Sequence, residues 1–143
     1  MVRRPAFLLF ALLLAPAALA GVEPGNWEFT VEVSISGNTS SSGPIVKTRC
    51  ISDADARDPQ KVLADSGGAG CKFLNTRDTG SEYSFSIDCG GGAVPVHGSG
   101  HVSYSADTLE GAIDLVAEQP NLSITTHSNL RARRLGPCNS KLL

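Results

Sequence analysis

The stretch with the most chemical promise is His97-Gly98-Ser99-Gly100-His101, which sets a serine between two glycines and two histidines. A nucleophilic serine at a strand-to-helix elbow needs glycine at both outer positions of its motif, and here both are histidine. The flanking residues alternate in polarity, which puts the string inside a strand. As metal ligands on such a strand His97 and His101 stand ~13 Å apart, too far to share one ion unless the glycines fold the backbone. His127 is available from another strand, but His101 and His127 both fall on the polar parity of their strands, the pattern of a solvated face. No metal site is expected. Asp53, Asp55 and Asp58 stand where a helix start attracts acids, and Glu110 and Asp114 point outward from a strand. Arg131, Arg133, Arg134 and Lys141 form a basic end of the kind that meets a phosphate or lipid head group. Arg131 and Arg133 share the outward parity of His127 and Asn129, however, and read as a solvated face. Asn38-Thr39-Ser40 and Asn121-Leu122-Ser123 have the form of glycosylation acceptors and are read as turns. With no acid, base and nucleophile converging, no catalytic or cofactor-binding residue is assigned, and an enzyme is not expected.

The four cysteines carry the other chemistry. Cys50, Cys71, Cys89 and Cys138 lack the close pairs of a zinc site, and an even count in a small exported chain argues for two disulfides. Asp78-Thr79-Gly80-Ser81-Glu82 is a turn signal, and a hairpin symmetric about Gly80 sets Cys71 opposite Cys89 and Phe73 opposite Ile87. Opposed residues of an antiparallel pair lie within disulfide reach, so Cys71 is expected to join Cys89, leaving Cys50 for Cys138. The rival pairing, Cys50 with Cys71, would instead staple the segment between them.

The elements that position these residues are mostly strands. Trp27 to Ser36 alternates apolar and polar residues at every step, the period of a half-buried strand. Burying its five apolar side chains, Trp27, Phe29, Val31, Val33 and Ile35, is worth roughly 7 to 15 kcal/mol gross, and this requires a partner layer. Ile45 to Cys50 returns as a second strand. Ser52-Asp53-Ala54-Asp55 is a capped helix start leading toward Val62-Leu63, interrupted or restarted at Pro59. Ser66 to Gly70 is a loop, and Tyr83, Phe85 and Ile87 mark a further strand. After Gly90-Gly91-Gly92, His97 to Ser105, Leu109 to Leu115 and Leu122 to Arg133 alternate in the same way. Gly98, Gly100 and Gly111 on the inward side point to curvature or close approach by another element. About seven strands joined mostly by short turns make an all-β antiparallel meander with one short helix, a strongly curved sheet or incomplete β-barrel. The helix, around Ser52 to Leu63, is expected to cover one opening.

Residues 1–20 run from Arg3 and Arg4 through an apolar stretch to Ala18-Leu19-Ala20, the form of a secretory signal peptide cleaved after Ala20. Residues 21–143 then make one domain. Removing two of the 12 basic residues leaves that domain acidic against 14 Asp and Glu, the wrong sign for nucleic acid. No later apolar run is long enough to span a membrane.

Pro24-Gly25-Asn26-Trp27-Glu28, Cys50-Ile51-Ser52-Asp53-Ala54-Asp55-Ala56 with Asp58-Pro59, Gly70-Cys71-Lys72, Cys89, Gly98-Ser99-Gly100, Glu110-Gly111 and Arg133-Arg134-Leu135-Gly136-Pro137-Cys138 recur as a set. In these the chain resembles bacterial exported proteins of domain-of-unknown-function family 3617. The resemblance implies a Gram-negative periplasmic setting and a β-rich fold, and it carries no functional residue across. A curved sheet offers a concave apolar side, so the first expectation is a noncatalytic periplasmic module binding a small apolar or amphipathic ligand, with Trp27, Phe29, Tyr83, Phe85 and Tyr104 facing it. The alternative is an envelope protein that docks a partner through an edge strand or the basic C-terminal end.

Overall fold

The computed structural model describes residues 21–37, 43–64, 70–90 and 92–139. The expected leader, the Asn38-Thr39-Ser40 triplet, most of the Ser66-to-Gly70 loop and Lys141 lie outside the described residues. The strands are β1 (Gly25–Ile35), β2 (Ile45–Ile51), β3 (Lys72–Asp78), β4 (Glu82–Cys89), β5 (Val96–Tyr104), β6 (Thr108–Gln119) and β7 (Leu122–Gly136). Two short helices, α1 (Asp53–Ala56) and α2 (Pro59–Leu63), lie between β2 and β3.

All seven strands form one antiparallel sheet in the order β2-β1-β7-β6-β5-β4-β3. From β3 to β7 the chain is a meander, and β7 then lies along β1. The sheet stays open, with β2 and β3 as its edges. The expected all-β curved sheet is therefore present. The short helical segment restarts at Pro59, as its sequence allows, and so forms two pieces. Pro59 cannot donate to a preceding turn and holds Asp58 in an extended conformation (φ −123°, ψ 101°). Each piece has its own N-cap: the Ser52 hydroxyl accepts from the Asp55 N–H at 3.1 Å, and the Asp58 carboxylate from the Gln60 N–H at 3.0 Å.

The helices lie over the inward face of the sheet. Ala56, Val62 and Leu63 are buried with Trp27, Ile51, Tyr83, Phe85, Ile87, Val102, Tyr104, Leu109, Ile113, Leu130 and Ala132. Trp27 is 0% exposed, and its indole N–H donates to the Glu23 carbonyl at 2.9 Å, so full burial leaves no polar atom unpaired. The inward face of β1 is buried only at its Trp27 end. Phe29, Val31 and Val33 are half-buried and Ile35 is 40% exposed, because β2 pairs no farther along β1 than Val31. One glycine shows why the inward face tolerates a missing side chain: the Phe85 ring occupies the space where a Cβ on Gly100, its neighbour across β4 and β5, would stand.

The turns follow their residues. Asn121 takes φ 70° after Pro120, the left-handed position a type II turn asks of its third residue. In the β3–β4 hairpin the turn pairs Asp78 with Tyr83 and Arg77 with Ser84, one residue off symmetry about Gly80, and a bulge between Leu74 and Arg77, with Asn75 at φ 50°, restores the register that sets Phe73 opposite Ile87. Cys71 is joined to Cys89 across the open end of this hairpin with Cα atoms 4.1 Å apart, and Cys50 to Cys138 at 5.5 Å.

Replacing Trp27 by alanine should cost about 3 to 5 kcal/mol, read as a lower urea midpoint; an unchanged midpoint would contradict its place at the centre of the core. Non-reducing peptide mapping should recover Cys71 with Cys89 and Cys50 with Cys138. Loop entropy makes the longer link the stronger, at ~5 against ~3 kcal/mol, so the Cys50→Ser, Cys138→Ser double variant should lose more stability than the Cys71→Ser, Cys89→Ser one.

Candidate functional site

The histidine-serine string does not assemble a site. His97, Ser99 and His101 all point outward from β5 and are exposed, while Gly98 and Gly100 face inward. His101 Nε2 lies 4.0 Å from Glu82 Oε2, and both side chains are exposed. Among the described residues no group of three or more His, Cys, Asp or Glu side chains is placed to hold a metal ion.

A tighter constellation lies on the next two strands, where Asp114 of β6 stands opposite Ser99 in the sheet register. His127 Nδ1 is 2.6 Å from Asp114 Oδ1 across β7 and β6, and Ser34 of β1 is the next residue in the same cross-strand row. These are the residue types of a nucleophilic triad, but the Ser34 hydroxyl donates to the His127 main-chain carbonyl at 3.4 Å and not to the ring, and all three side chains stand on the outward face. The hydrogen bond with Asp114 raises the His127 pKa above its ordinary value, against an opposing effect of burial. This pairing could have been read from the sequence, since a two-residue Pro120-Asn121 turn sets Asp114 opposite His127.

The basic end is engaged within the fold. Arg133 pairs with Glu28 at 2.9 Å, Arg134 Nε donates to the Pro24 carbonyl at 2.9 Å and lies 3.7 Å from Glu23, and Arg131 stands between Glu110 and Thr30 in the sheet register. Arg133 and Arg134 thus tie the last strand to β1 and the segment before it. The Tyr104 hydroxyl similarly donates to Asp78 at 2.5 Å beside the β3–β4 turn, and burial together with that hydrogen bond drives its pKa strongly upward.

Of the five side chains expected to face a ligand, Trp27, Tyr83, Phe85 and Tyr104 are spent on the core. A hollow between Tyr83, Tyr104 and the helices, beside Val22, Val62 and Leu109, measures about 10 Å³, no more than one water needs. Phe85 stacks against Phe73 and Tyr83 at centroid distances of 4.8 and 5.3 Å, which closes the concave side from within. Phe29 alone borders open space.

That space is a recess of about 280 Å³ between β1, β2 and α2, lined by Phe29, Val31, Ile45, Lys47, Thr48, Arg49 and Val62. Arg49 braces its wall. The guanidinium donates to the Lys61 and Val62 carbonyls at 3.1 and 2.9 Å, satisfying the end of α2, and lies 5.5 Å from the centroid of the Phe29 ring. Except for Phe29, the lining was not singled out from the sequence. The available signal was parity: Ile45, Lys47, Arg49 and Ile51 share one face of β2, which puts two cations on the side where the buried Ile51 shows the core to be.

Residues 22–138 match the model of a family described as a protein of unknown function, DUF3617. The chain belongs to that family. No curated protein and no solved structure matches it.

Because the His127 pKa is raised by folding, its pair with Asp114 contributes stability that is full below about pH 6.5, the unfolded value, and is lost as pH rises through the folded one. An NMR titration should place His127 above 6.5, and Asp114→Asn should bring it back down. An unmoved His127 in the variant would contradict the pairing.

Proposed function

We propose that the chain is an exported, noncatalytic binding module that holds a small amphipathic molecule in the recess between β1, β2 and α2. The observation that carries this reading is the recess itself: the apolar side chains Phe29, Val31, Ile45 and Val62 border a hollow of about 280 Å³, near the lower end of the ~300–1,000 Å³ of small-molecule sites. Such sites in curved sheets sit inside or at the mouth, and here the inside is filled. Arg49 fixes α2 against β2 through two main-chain carbonyls, so the wall is formed before a ligand arrives and little ordering cost falls on binding.

Export is supported by the leader-like residues 1–20 and by two disulfides, which persist in an oxidising compartment. We take the periplasm as that compartment, the setting that the resemblance implies. No helix among the described residues is long and apolar enough to cross a membrane.

A second reading has its own observation. The β3 edge is blunted by a bulge, whereas β2 runs without one and exposes Ile45 (48%) and Val46 (56%) beside its free edge. An extended partner segment adding to β2 would use that edge.

The neutral probe octanol distinguishes the two. Titrated into the full chain, it should shift the methyl resonances of Val31, Ile45 and Val62, and Ile45→Asp should weaken it about tenfold or more, ~1.4 kcal/mol. Octanol shifts scattered over the surface, or unaltered by Ile45→Asp, would contradict the recess; edge pairing would instead perturb β2 amides and spare the Val62 methyl.

A further inference from the structure

We propose a second site on the opposite, outward face of the sheet, a shallow dish centred on Ala112 that takes a neutral sugar ring, independent of the recess and of any ligand held there. Ser103, Glu110 and Arg131 make one cross-strand row over β5, β6 and β7, and His101, Ala112 and Asn129 make the next. Strand alternation turns all six away from the buried Val102, Ile113 and Leu130. Ala112 is the only one of them without a polar group, and its methyl, the shortest of these side chains, is the floor. Together they line a hollow of about 390 Å³, inside the ~300–1,000 Å³ of small-molecule sites.

The chemistry of the rim selects the ligand. Glu110 offers acceptors, Arg131 donors, and Ser103, His101 and Asn129 both. Glu110 and Arg131 stand opposite each other, yet among the described residues neither enters an ion pair, whereas Asp114 in the following row is already matched by His127 at 2.6 Å. An anion seated in the dish would meet the Glu110 carboxylate and a cation the Arg131 guanidinium. A neutral molecule rich in hydroxyls satisfies both, since each hydroxyl donates and accepts. A pyranose carries such hydroxyls around its edge, and its apolar C–H face suits the Ala112 methyl. The Phe, Tyr and Trp side chains among the described residues all pack with the inward core, so no aromatic ring stacks on the sugar. A dissociation constant on the order of 1 mM follows, the range that about 12 non-hydrogen atoms reach at ordinary ligand efficiency.

The test titrates the full chain with the methyl glycosides of glucose, galactose and mannose, and with glucuronate and glucosamine as charged analogues, following the Ala112 methyl and the Asn129 side-chain amide by NMR. At least one neutral glycoside should shift both signals and leave the Val62 methyl of the recess unmoved. Glucuronate and glucosamine should bind about threefold weaker, and added salt should leave the neutral glycoside unaffected. Ala112→Leu, which fills the floor, and Arg131→Gln, which removes the charged donor, should each weaken it about tenfold, read at the Asn129 amide. The proposal is overturned if no neutral glycoside shifts these signals, or if glucuronate or glucosamine binds tighter than every neutral one. Glycoside shifts that move Val62 and spare Ala112 would also overturn it. The ranking of probes on the unaltered chain decides the matter independently of how either variant folds.

Discussion

An open antiparallel sheet with one apolar face has to bury that face against another layer, and here the chain between its two edges supplies the layer. β2 and β3 do not meet, and the two short helices that connect them lie across the inward face, putting Ala56, Val62 and Leu63 into the same core as Trp27 and Tyr83. A sheet closed into a barrel would need no such cover. The remaining devices hold the arrangement in place. Cys50–Cys138 pins the end of the chain to β2, Cys71–Cys89 closes the hairpin at the other edge, and Arg49 ties α2 to β2. Arg134 ties β7 to the segment ahead of β1, whose Glu23 carbonyl also satisfies the Trp27 indole.

The same constraint decides where a ligand can be held. Cover and sheet bury Trp27, Tyr83, Phe85 and Tyr104 and leave a hollow of about 10 Å³ beside Tyr83 and Tyr104, so aromatic bulk that marks a binding site in a larger barrel serves here as core. Open space begins where the cover ends. Past Val62 none of the described residues layers over the inward faces of β1 and β2, and there the half-buried Phe29 and Val31 and the exposed Ile45 and Lys47 border the recess. The outward face, by contrast, is a field of paired charges such as Glu28 with Arg133 and Asp114 with His127, with polar groups matched across strands.

What the sequence disclosed and what it hid follow one physical division. Strand alternation from Trp27 to Ile35, the Pro120-Asn121 turn and the hairpin about Gly80 are local features, and local chemistry settles them. The break at Pro59 is local too, since proline dictates it. Trp27 was legible as a buried residue from parity, but whether burial meant core or ligand wall depended on how closely the helices approach the sheet, a long-range quantity. The recess was hidden for the same reason: it lies where α2, β1 and β2 meet, and none of these segments marks it alone.

The central claim is that the aromatic residues are packed as core and that the apolar recess lies at the rim beside α2. Xenon under pressure tests this directly, because the gas enters apolar cavities whatever their natural ligand. Crystals exposed to xenon should show it, if anywhere, against Phe29, Val31, Ile45 and Val62, and none within the aromatic core. Xenon seated between Trp27, Tyr83 and Phe85 would show an interior hollow and contradict the account.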